Sequence, residues 1–205
     1  MNEQAPIVYV VDDDEAVRSS LKWLINSVDI EVQTFAGASE FLDITLPDRP
    51  SCLIVDVRMP GMSGLELQRQ LVDRSINLPV IVITGHGDVE MAVRAMKAGA
   101  FDFIQKPFND QVLLDLLQSA LERHAEQSKA TAERRRITAQ MDELTERERQ
   151  VLNGIVDGES NRQIAARLGL SEKTIEFHRS KVMRKMEAGS LADLTRKVVV
   201  AGRLG

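Results

Sequence analysis

In IVYVVDDD, residues 7–14, an apolar run stops abruptly at three aspartates. A second run, SCLIVD at residues 51–56, ends in the same way at Asp56. Short apolar runs of this kind are typical of strands in a parallel sheet that is covered on both faces. Because the carboxyl ends of parallel strands open onto one crevice, we expect Asp12, Asp13 and Asp56 to lie close together.

Crowded carboxylates repel each other and hold their protons unless a hard cation such as Mg2+ neutralises them. The sequence therefore predicts an acidic metal pocket, although a single aspartate run after a strand is more often a helix N-cap. Two further predicted strands end at the same crevice: Thr84 follows residues 80–83, and Lys106 follows residues 101–105. A hydroxyl and an ammonium beside metal-bound carboxylates are the groups that a transferred phosphoryl group needs. The pocket is predicted to support phosphoryl chemistry.

Strand-like runs recur with amphipathic stretches between them, near residues 7–11, 30–35, 51–55, 79–83 and 101–105. This alternation predicts βαβ units, and hence an α/β fold with helices on both faces of a parallel sheet.

Charge is unevenly distributed along the 205 residues, whose formal net charge is −5. Residues 1–124 hold 10 basic and 19 acidic side chains, whereas residues 142–205 hold 12 basic and 10 acidic ones. This asymmetry indicates that only the C-terminal part meets a polyanion. A single cysteine, Cys52, excludes an internal disulfide, and no apolar run approaches the length of a membrane span. We therefore expect a cytoplasmic protein with no membrane partner.

The chain contains no glycine or proline between Pro107 and Gly154. Residues 122–136 offer only alanine as apolar content, which predicts an exposed helical linker with no core to pack on. Disorder is the alternative that this composition leaves open.

A compact helical module is predicted from Leu144 onward, with capping boxes at residues 145–148 and 160–163. Ala165, Gly169 and Ile175 have the spacing of a helix-turn-helix. That motif needs a small residue where the helices touch, a glycine with positive φ in the turn and a core anchor in the second helix.

Four motifs resemble the receiver domains of bacterial response regulators: VVDDD at 10–14, VDVRMPG at 55–61, ITGHG at 83–87 and QKPF at 105–108. LTERE at 144–148 and SEKTIEFH at 171–178 resemble a LuxR-type DNA-binding domain. Over nearly its whole length the chain is similar to the FixJ subgroup of the NarL/FixJ family. The resemblance implies a five-stranded flavodoxin-like receiver over 1–121, a helical linker over 122–141 and a helix-turn-helix domain over 142–205.

For the pocket, the resemblance implies that Asp56 accepts a phosphoryl group from a sensor histidine kinase. Mg2+ would be held by Asp13, Asp56 and the backbone carbonyl of Arg58, and by Asp12 mainly through water. Lys106, preceding a cis proline bond, and Thr84 would bind the phosphoryl oxygens.

The resemblance also implies a switch and a dimer. Phe103 would move inward when Thr84 shifts, and phosphorylation would produce a homodimer through the helix 88–98, the strand 101–105 and the helix from Asp110. We further expect Arg58 and His86 to shield the phosphoryl group from water at the pocket mouth.

The second helix of the helix-turn-helix, predicted over 172–186, has a basic face suited to the major groove of promoter DNA. Glu176 would accept a hydrogen bond from cytosine or else position Lys173 or Arg179, and Phe177 would touch a thymine methyl or simply pack. RNA polymerase is the further partner expected at a promoter. The predicted DNA-binding residues are Asn161, Lys173, Thr174, Glu176, Phe177, Arg179, Ser180, Lys181, Arg184 and Lys185.

Two other functions compete with a phosphorylation-activated transcription regulator. A Mg2+-dependent phosphohydrolase would use Asp56 as its nucleophile, but it would need a substrate pocket and a separate acid or base, and the second module is helical and basic. A receiver that serves only as a phosphorylation-independent dimerisation platform would not need Asp13, Asp56, Thr84 and Lys106 together. We therefore expect no enzyme activity beyond the formation and hydrolysis of the phosphoryl group on Asp56.

Overall fold

The computed structural model describes residues 5–85 and 89–202, and the chain divides into two compact units, residues 1–128 and 129–205. The first unit is built on a five-stranded sheet in the order β2-β1-β3-β4-β5, and each neighbouring pair is parallel. The strands are β1 (Ile7–Val11), β2 (Glu31–Phe35), β3 (Ser51–Asp56), β4 (Val80–Thr84) and β5 (Asp102–Gln105). This sheet confirms the α/β fold class predicted from the apolar runs.

Helices connect the strands: α1 (Glu15–Asn26), α2 (Ala38–Leu42), α3 (Gly64–Asp73) and α4 (Val89–Lys97). Helix α3 begins with the predicted capping box, in which Ser63 accepts from the Glu66 N–H and the Glu66 side chain accepts from the Ser63 N–H. The five-residue α2 was not predicted individually, since it is shorter than a recognisable amphipathic repeat. Asp88, the expected start of α4, lies outside the described residues.

The central strands are buried on both faces because alternate side chains enter two different cores. On β1, Tyr9 packs in one cluster with Leu53 and Val82, whereas Val10 packs in the other with Ile54. Because both faces of these strands are apolar, the polar side chains lie at the strand ends. Asp12 follows β1, and Asp56 is the last residue of β3.

A single helix, α5 (Asp110–Asp142), includes the whole segment for which helix and disorder were both open. Its first turns bury Leu113 and Leu117 in the N-terminal unit. Further along, Nδ1 of His124 accepts a hydrogen bond from the Ser51 backbone N–H over 2.9 Å. The early part of the predicted linker is therefore attached to the receiver-like unit.

The end of α5 belongs to the second unit, in whose core Ile137 and Met141 are buried. Residues 122–136, the stretch predicted to be exposed, contain no buried side chain, although His124 takes part in hydrogen bonding, and burial resumes at Ile137. We propose that the functional boundary between the modules falls within residues 125–136.

The second unit continues with α6 (Glu146–Val156), α7 (Asn161–Leu168), α8 (Glu172–Lys185) and α9 (Leu191–Val200). The capping boxes that begin α6 and α7 are present as predicted. Gly169 ends α7 with φ of 66°, and Ala165 and Ile175 are buried on either side of the turn. These features confirm the helix-turn-helix, since a left-handed turn residue of this kind favours glycine.

Several large apolar side chains of the first unit are exposed, among them one on α1 and three on α4. Trp23 on α1 is 74 % exposed, and Val89, Val93 and Met96 on α4 are 82 %, 44 % and 46 % exposed. The three α4 residues are spaced by four and three positions, so they share one face of that helix. Among the helices of the described residues, none has the length and apolar content to cross a membrane.

Candidate functional sites

Two buried carboxylates meet at the carboxyl edge of the sheet. Asp12 follows β1 and is 3 % exposed, and Asp56 is the last residue of β3 and is 8 % exposed. The ammonium of Lys106 joins them, lying 2.8 Å from Oδ2 of Asp12 and 3.2 Å from Oδ1 of Asp56. The structure therefore brings together three of the predicted pocket residues, namely two carboxylates and the ammonium that they share.

The electrostatics of Asp56 reflect its surroundings. Burial and, to a smaller extent, the charge of Asp12 raise the pKa of Asp56. The 2.6 Å hydrogen bond from the Arg58 backbone N–H and the hydrogen bond and charge of Lys106 lower it, and the net shift is upward. The pKa of Lys106 is also raised, because its bonds to Asp12 and Asp56 outweigh the opposing effect of burial. The pocket thus holds a strongly engaged ammonium beside a carboxylate that is costly to ionise.

Thr84 and Phe103 lie on the neighbouring strands. Thr84 ends β4 and is 1 % exposed, and its carbonyl oxygen accepts from the Lys106 backbone N–H over 2.9 Å. Phe103 on β5 is partly buried against the core that contains Val82. The Lys106–Pro107 peptide is cis, as the resemblance implied.

The remaining predicted pocket residues differ from the buried ones in their exposure. The side chains of Asp13 and Arg58 are exposed. His86 lies outside the described residues. The backbone of Asp56 is confined from the other side, because a Cβ atom at Gly64, the first residue of α3, would overlap the Asp56 carbonyl group.

The donor chemistry of this pocket suits Mg2+. Among the residues that the structure describes, no group of three carboxylate, imidazole or thiol side chains is placed to hold a metal. Mg2+ does not require such a cage, because it is commonly bound by one or two carboxylates together with water and phosphate oxygens. Asp12, Asp56 and the exposed Asp13 provide oxygen ligands of that type.

The second unit presents α8 as its exposed basic helix. On one side of this helix Ile175 and Val182 are buried, and on the opposite side Lys173, Phe177 and Arg184 are exposed. Phe177 is 57 % exposed, and the Lys181 ammonium lies 4.4 Å from the centre of its ring. This face combines cations with an aromatic surface, as expected for a helix that enters the major groove.

Comparison with known proteins matches both units to families. Residues 8–118 match the response regulator receiver domain, and residues 142–198 match the bacterial regulatory proteins of the luxR family. The chain is 46 % identical to the transcriptional regulatory protein FixJ of Azorhizobium caulinodans over 98 % of this chain and 95 % of that protein. It belongs to the FixJ-type response regulators.

Other relatives agree with that assignment. Nodulation protein W of Bradyrhizobium diazoefficiens is 48 % identical over 93 % of this chain and 84 % of that protein. The solved structure of the response regulator StyR has a TM-score of 0.88 and 46 % identity, covering 95 % of this chain and 98 % of StyR. This response regulator is therefore a two-component transcription regulator with a DNA-binding output domain.

The structure revises one predicted DNA contact of the response regulator. The Lys185 ammonium donates to Oε2 of Glu148 over 2.7 Å and to the Glu143 backbone carbonyl over 3.0 Å. Burial would raise the pKa of Glu148, but hydrogen bonds from Lys185 and Thr145 lower it to about 2. Because its ammonium is used inside the unit, Lys185 is withdrawn from the proposed DNA face.

The other predicted contacts differ in how they are engaged. The hydroxyl of Thr174 lies 2.7 Å from that of the N-cap Ser171, and the Ser180 hydroxyl donates to the Glu176 carbonyl over 3.0 Å. Among the described residues, Glu176 forms no ion pair with Lys173 or Arg179. Both predicted roles of Glu176, acceptance of a hydrogen bond from cytosine and positioning of Lys173 or Arg179, stay predictions.

Asn161 is the first residue of α7 and is partly exposed, and Arg179 on α8 is partly exposed as well. Both stay in the proposed set of DNA contacts.

Sequence reasoning missed Lys197, which is 4 % exposed and donates to the carbonyls of Met186 and Glu187 at the end of α8. Its position on α9 with the apolar Leu194 and Val198 gave no signal beyond helical spacing.

Proposed function

We propose that this response regulator accepts a phosphoryl group on Asp56 from a phosphohistidine of a sensor histidine kinase. The observation that carries the proposal is the Lys106 ammonium shared by Asp12 and Asp56 at the strand ends. An oxygen of Asp56 would form the new bond to phosphorus while the phosphorus–nitrogen bond breaks and the imidazole leaves. Mg2+, when bound, supplies the positive charge that allows a carboxylate to approach a negatively charged phosphorus.

The chain's own residues prepare this transfer. Lys106 is held at the pocket before the phosphoryl group arrives, so its charge is already placed for a phosphoryl oxygen. Thr84, at the end of the adjacent strand, would donate its hydroxyl to a second oxygen, and Phe103 would follow that movement. Asp13 and the carbonyl of Arg58 would complete the metal ligands.

A phosphohydrolase acting on external substrates remains the competing proposal for this pocket. Under either function, water would slowly hydrolyse the acyl phosphate on Asp56. That hydrolysis therefore does not distinguish the two functions. The basic face of α8 favours the regulator, because a hydrolase has no use for a groove-reading helix. Turnover of an external phosphate ester would decide for the hydrolase.

For the output we propose that Lys173, Phe177, Lys181 and Arg184 meet promoter DNA, with Asn161 and Arg179 at the edge of the contact. Cations on this face would track phosphates, and Phe177 would lie against a base edge. RNA polymerase is the partner expected of a regulator bound beside a promoter. Because the proposed regulator needs both a kinase partner and chromosomal DNA, we expect it to act in the cytoplasm.

Phosphorylation would act by pairing two copies of the chain. Val89, Val93 and Met96 form an exposed apolar stripe on α4, and a second copy would cover it. A dimer that spans two half-sites gains effective concentration for its second contact, so DNA affinity rises without any change in α8.

The proposal is tested by intact-mass measurement of the full chain after incubation with a small acyl phosphate and Mg2+. The wild type and the surface variant Asp43→Asn should gain a phosphoryl group, whereas Asp56→Asn should not. Sedimentation and capture of genomic DNA fragments should then change together in the wild type and in Asp43→Asn, but not in Asp56→Asn. An undiminished phosphoprotein yield in Asp56→Asn would show that the acceptor is a different residue.

A further inference from the structure

We propose that Arg18 is a positioning residue that holds the acidic connection between β1 and α1 in its metal-binding shape. The inference rests on the proposed phosphoryl-transfer function. Nη1 of Arg18 donates to two backbone carbonyls, that of Asp12 over 2.7 Å and that of Asp13 over 3.0 Å. One guanidinium therefore fixes the main chain of two of the proposed metal-binding residues.

Other hydrogen bonds hold the rest of this connection, through the Asp12 backbone N–H and the side chains of Asp12 and Asp14. The Asp12 N–H donates to the carbonyl of Phe35 over 3.3 Å, and Oδ1 of Asp12 accepts from the Asp14 N–H over 2.9 Å. Asp14 in turn caps α1 by accepting from the Ala16 N–H over 2.8 Å. Without Arg18 the carbonyl side of residues 12 and 13 would lose its protein donor.

The Asp13 carboxylate is different from its neighbours. It is exposed, and across residues 5–85 and 89–202 no hydrogen bond or ion pair engages its side chain. Among the described residues, Asp13 is therefore held through its backbone alone, to which Arg18 donates. Supports of this kind, one bond removed from the metal ligand, commonly contribute strongly to metal affinity.

Helix stability does not explain why a cation occupies this position. Arg18 is in the first turn of α1, where the helix dipole favours negative charge and disfavours positive charge. Its side chain reaches back past the helix start to the two carbonyls, which offset that cost. Arg18 at this position therefore stabilises the connection between β1 and α1 and not the helix itself.

Arg18 has two effects on a divalent cation, and they differ in sign. Its charge repels Mg2+, but this repulsion is weak for a half-exposed group screened by water. Its hydrogen bonds preorganise the ligands, and loss of such a support typically lowers metal affinity by about 10- to 100-fold. We therefore expect preorganisation to dominate.

The test measures Mg2+ binding to the full-length chain by calorimetry, without phosphodonor or DNA. Arg18→Met should weaken Mg2+ binding by about tenfold. Arg18→Lys, which keeps the charge and a donor, should recover part of the loss. Lys22→Met is the matched control, since it removes an exposed cation one turn further along α1, and it should bind Mg2+ like the wild type.

A second readout separates positioning from chemistry. In Arg18→Met, the Mg2+ concentration for half-maximal phosphorylation should rise about tenfold, while the rate at saturating Mg2+ stays within about twofold of the wild type. Urea unfolding in the presence of a chelator establishes that each variant is folded. If Arg18→Met does not fold, Arg18→Lys compared with Lys22→Met decides the matter.

Equal or tighter Mg2+ binding by the Arg18 variants, relative to Lys22→Met, would overturn the role of Arg18. If the wild type itself neither binds Mg2+ nor gains a phosphoryl group, the proposed function fails instead. The two failures are therefore distinguishable in one set of measurements.

Discussion

The backbone N–H of Ser51, at the start of β3, donates to Nδ1 of His124 over 2.9 Å, and this bond joins the sheet to α5. An imidazole nitrogen that accepts a hydrogen bond must be unprotonated. Burial lowers the pKa of His124, although its hydrogen bond to the Asn77 backbone and the charge of Asp48 act in the opposite direction. The folded chain therefore prefers neutral His124.

This preference predicts a pH-dependent loss of stability. As pH falls below about 6.5, the unfolded chain binds a proton at His124 before the folded chain does, so folding weakens until the folded pKa is passed. His124→Gln removes this titration. Urea midpoints at pH 7.5 and pH 5.5 should differ less in His124→Gln than in the wild type; an equal difference in both would contradict the prediction.

A second prediction concerns the stability of the pocket without Mg2+. Since the folded pKa of Asp56 is raised, its ionisation disfavours the folded state as pH rises above about 4. Asp56→Asn should therefore raise the urea midpoint at pH 7.5 in a chelator, and the gain should disappear near pH 4. Asp43→Asn, at an exposed position, should leave the midpoint unchanged. A lower midpoint in Asp56→Asn would mean that its bonds to Lys106 and Arg58 outweigh burial.

A third prediction concerns the ion pair inside the DNA-binding unit. Lys185→Met leaves the buried Glu148 carboxylate without its cation and should cost about 2 to 3 kcal/mol of unfolding free energy at pH 7. Because the pKa of Glu148 is lowered to about 2, the stabilisation by this pair should be present above about pH 4.5 and lost as pH falls toward 2. Arg184→Met, on the exposed side of the same helix, should cost little.

Calorimetric unfolding of the full chain would resolve this effect in the transition of the second unit. Combining Lys185→Met with Glu148→Gln should recover part of the loss, because no unpaired charge is then buried. No recovery in the double variant would assign the loss to packing of the lysine stem instead.

A fourth prediction addresses Phe177. If its exposed ring contacts a thymine methyl, replacing that thymine by deoxyuridine should weaken binding of the wild type by about fourfold, the value of one buried methyl group. Phe177→Ala should bind both DNA forms equally. Fluorescence anisotropy with a site taken from captured genomic fragments provides the measurement. If deoxyuridine has the same effect on both proteins, Phe177 does not read the methyl.

Much of the pocket could be predicted because strand ends are readable in the sequence. Asp12, Asp56, Thr84 and Lys106 each lie at the end of a predicted strand, and parallel strands bring such positions to one edge. Arg18 gave no comparable signal. Its partners are backbone carbonyls, which every residue has, so residue type and spacing do not reveal them.

The DNA-binding face shows the same limit. Helical spacing assigned Lys185 to the basic side of α8, but its ammonium is directed by Glu148, a residue 37 positions away on a different helix. Periodicity describes one helix at a time and cannot report which neighbouring element supplies a counter-charge. The hydrogen bond of His124 was missed for a related reason, since its donor, the Ser51 N–H, lies 73 positions earlier in the chain.

Trp23 is the sole tryptophan of the sequence, and it lies exposed on α1, five positions after Arg18. All indole emission from this protein therefore originates in the receiver, and none comes from the module that meets DNA. A quencher titration or an anisotropy decay recorded on the intact chain consequently reports on α1 without labelling and without interference from the output module. The molecule therefore carries a built-in optical reporter on the helix that follows its acidic connection.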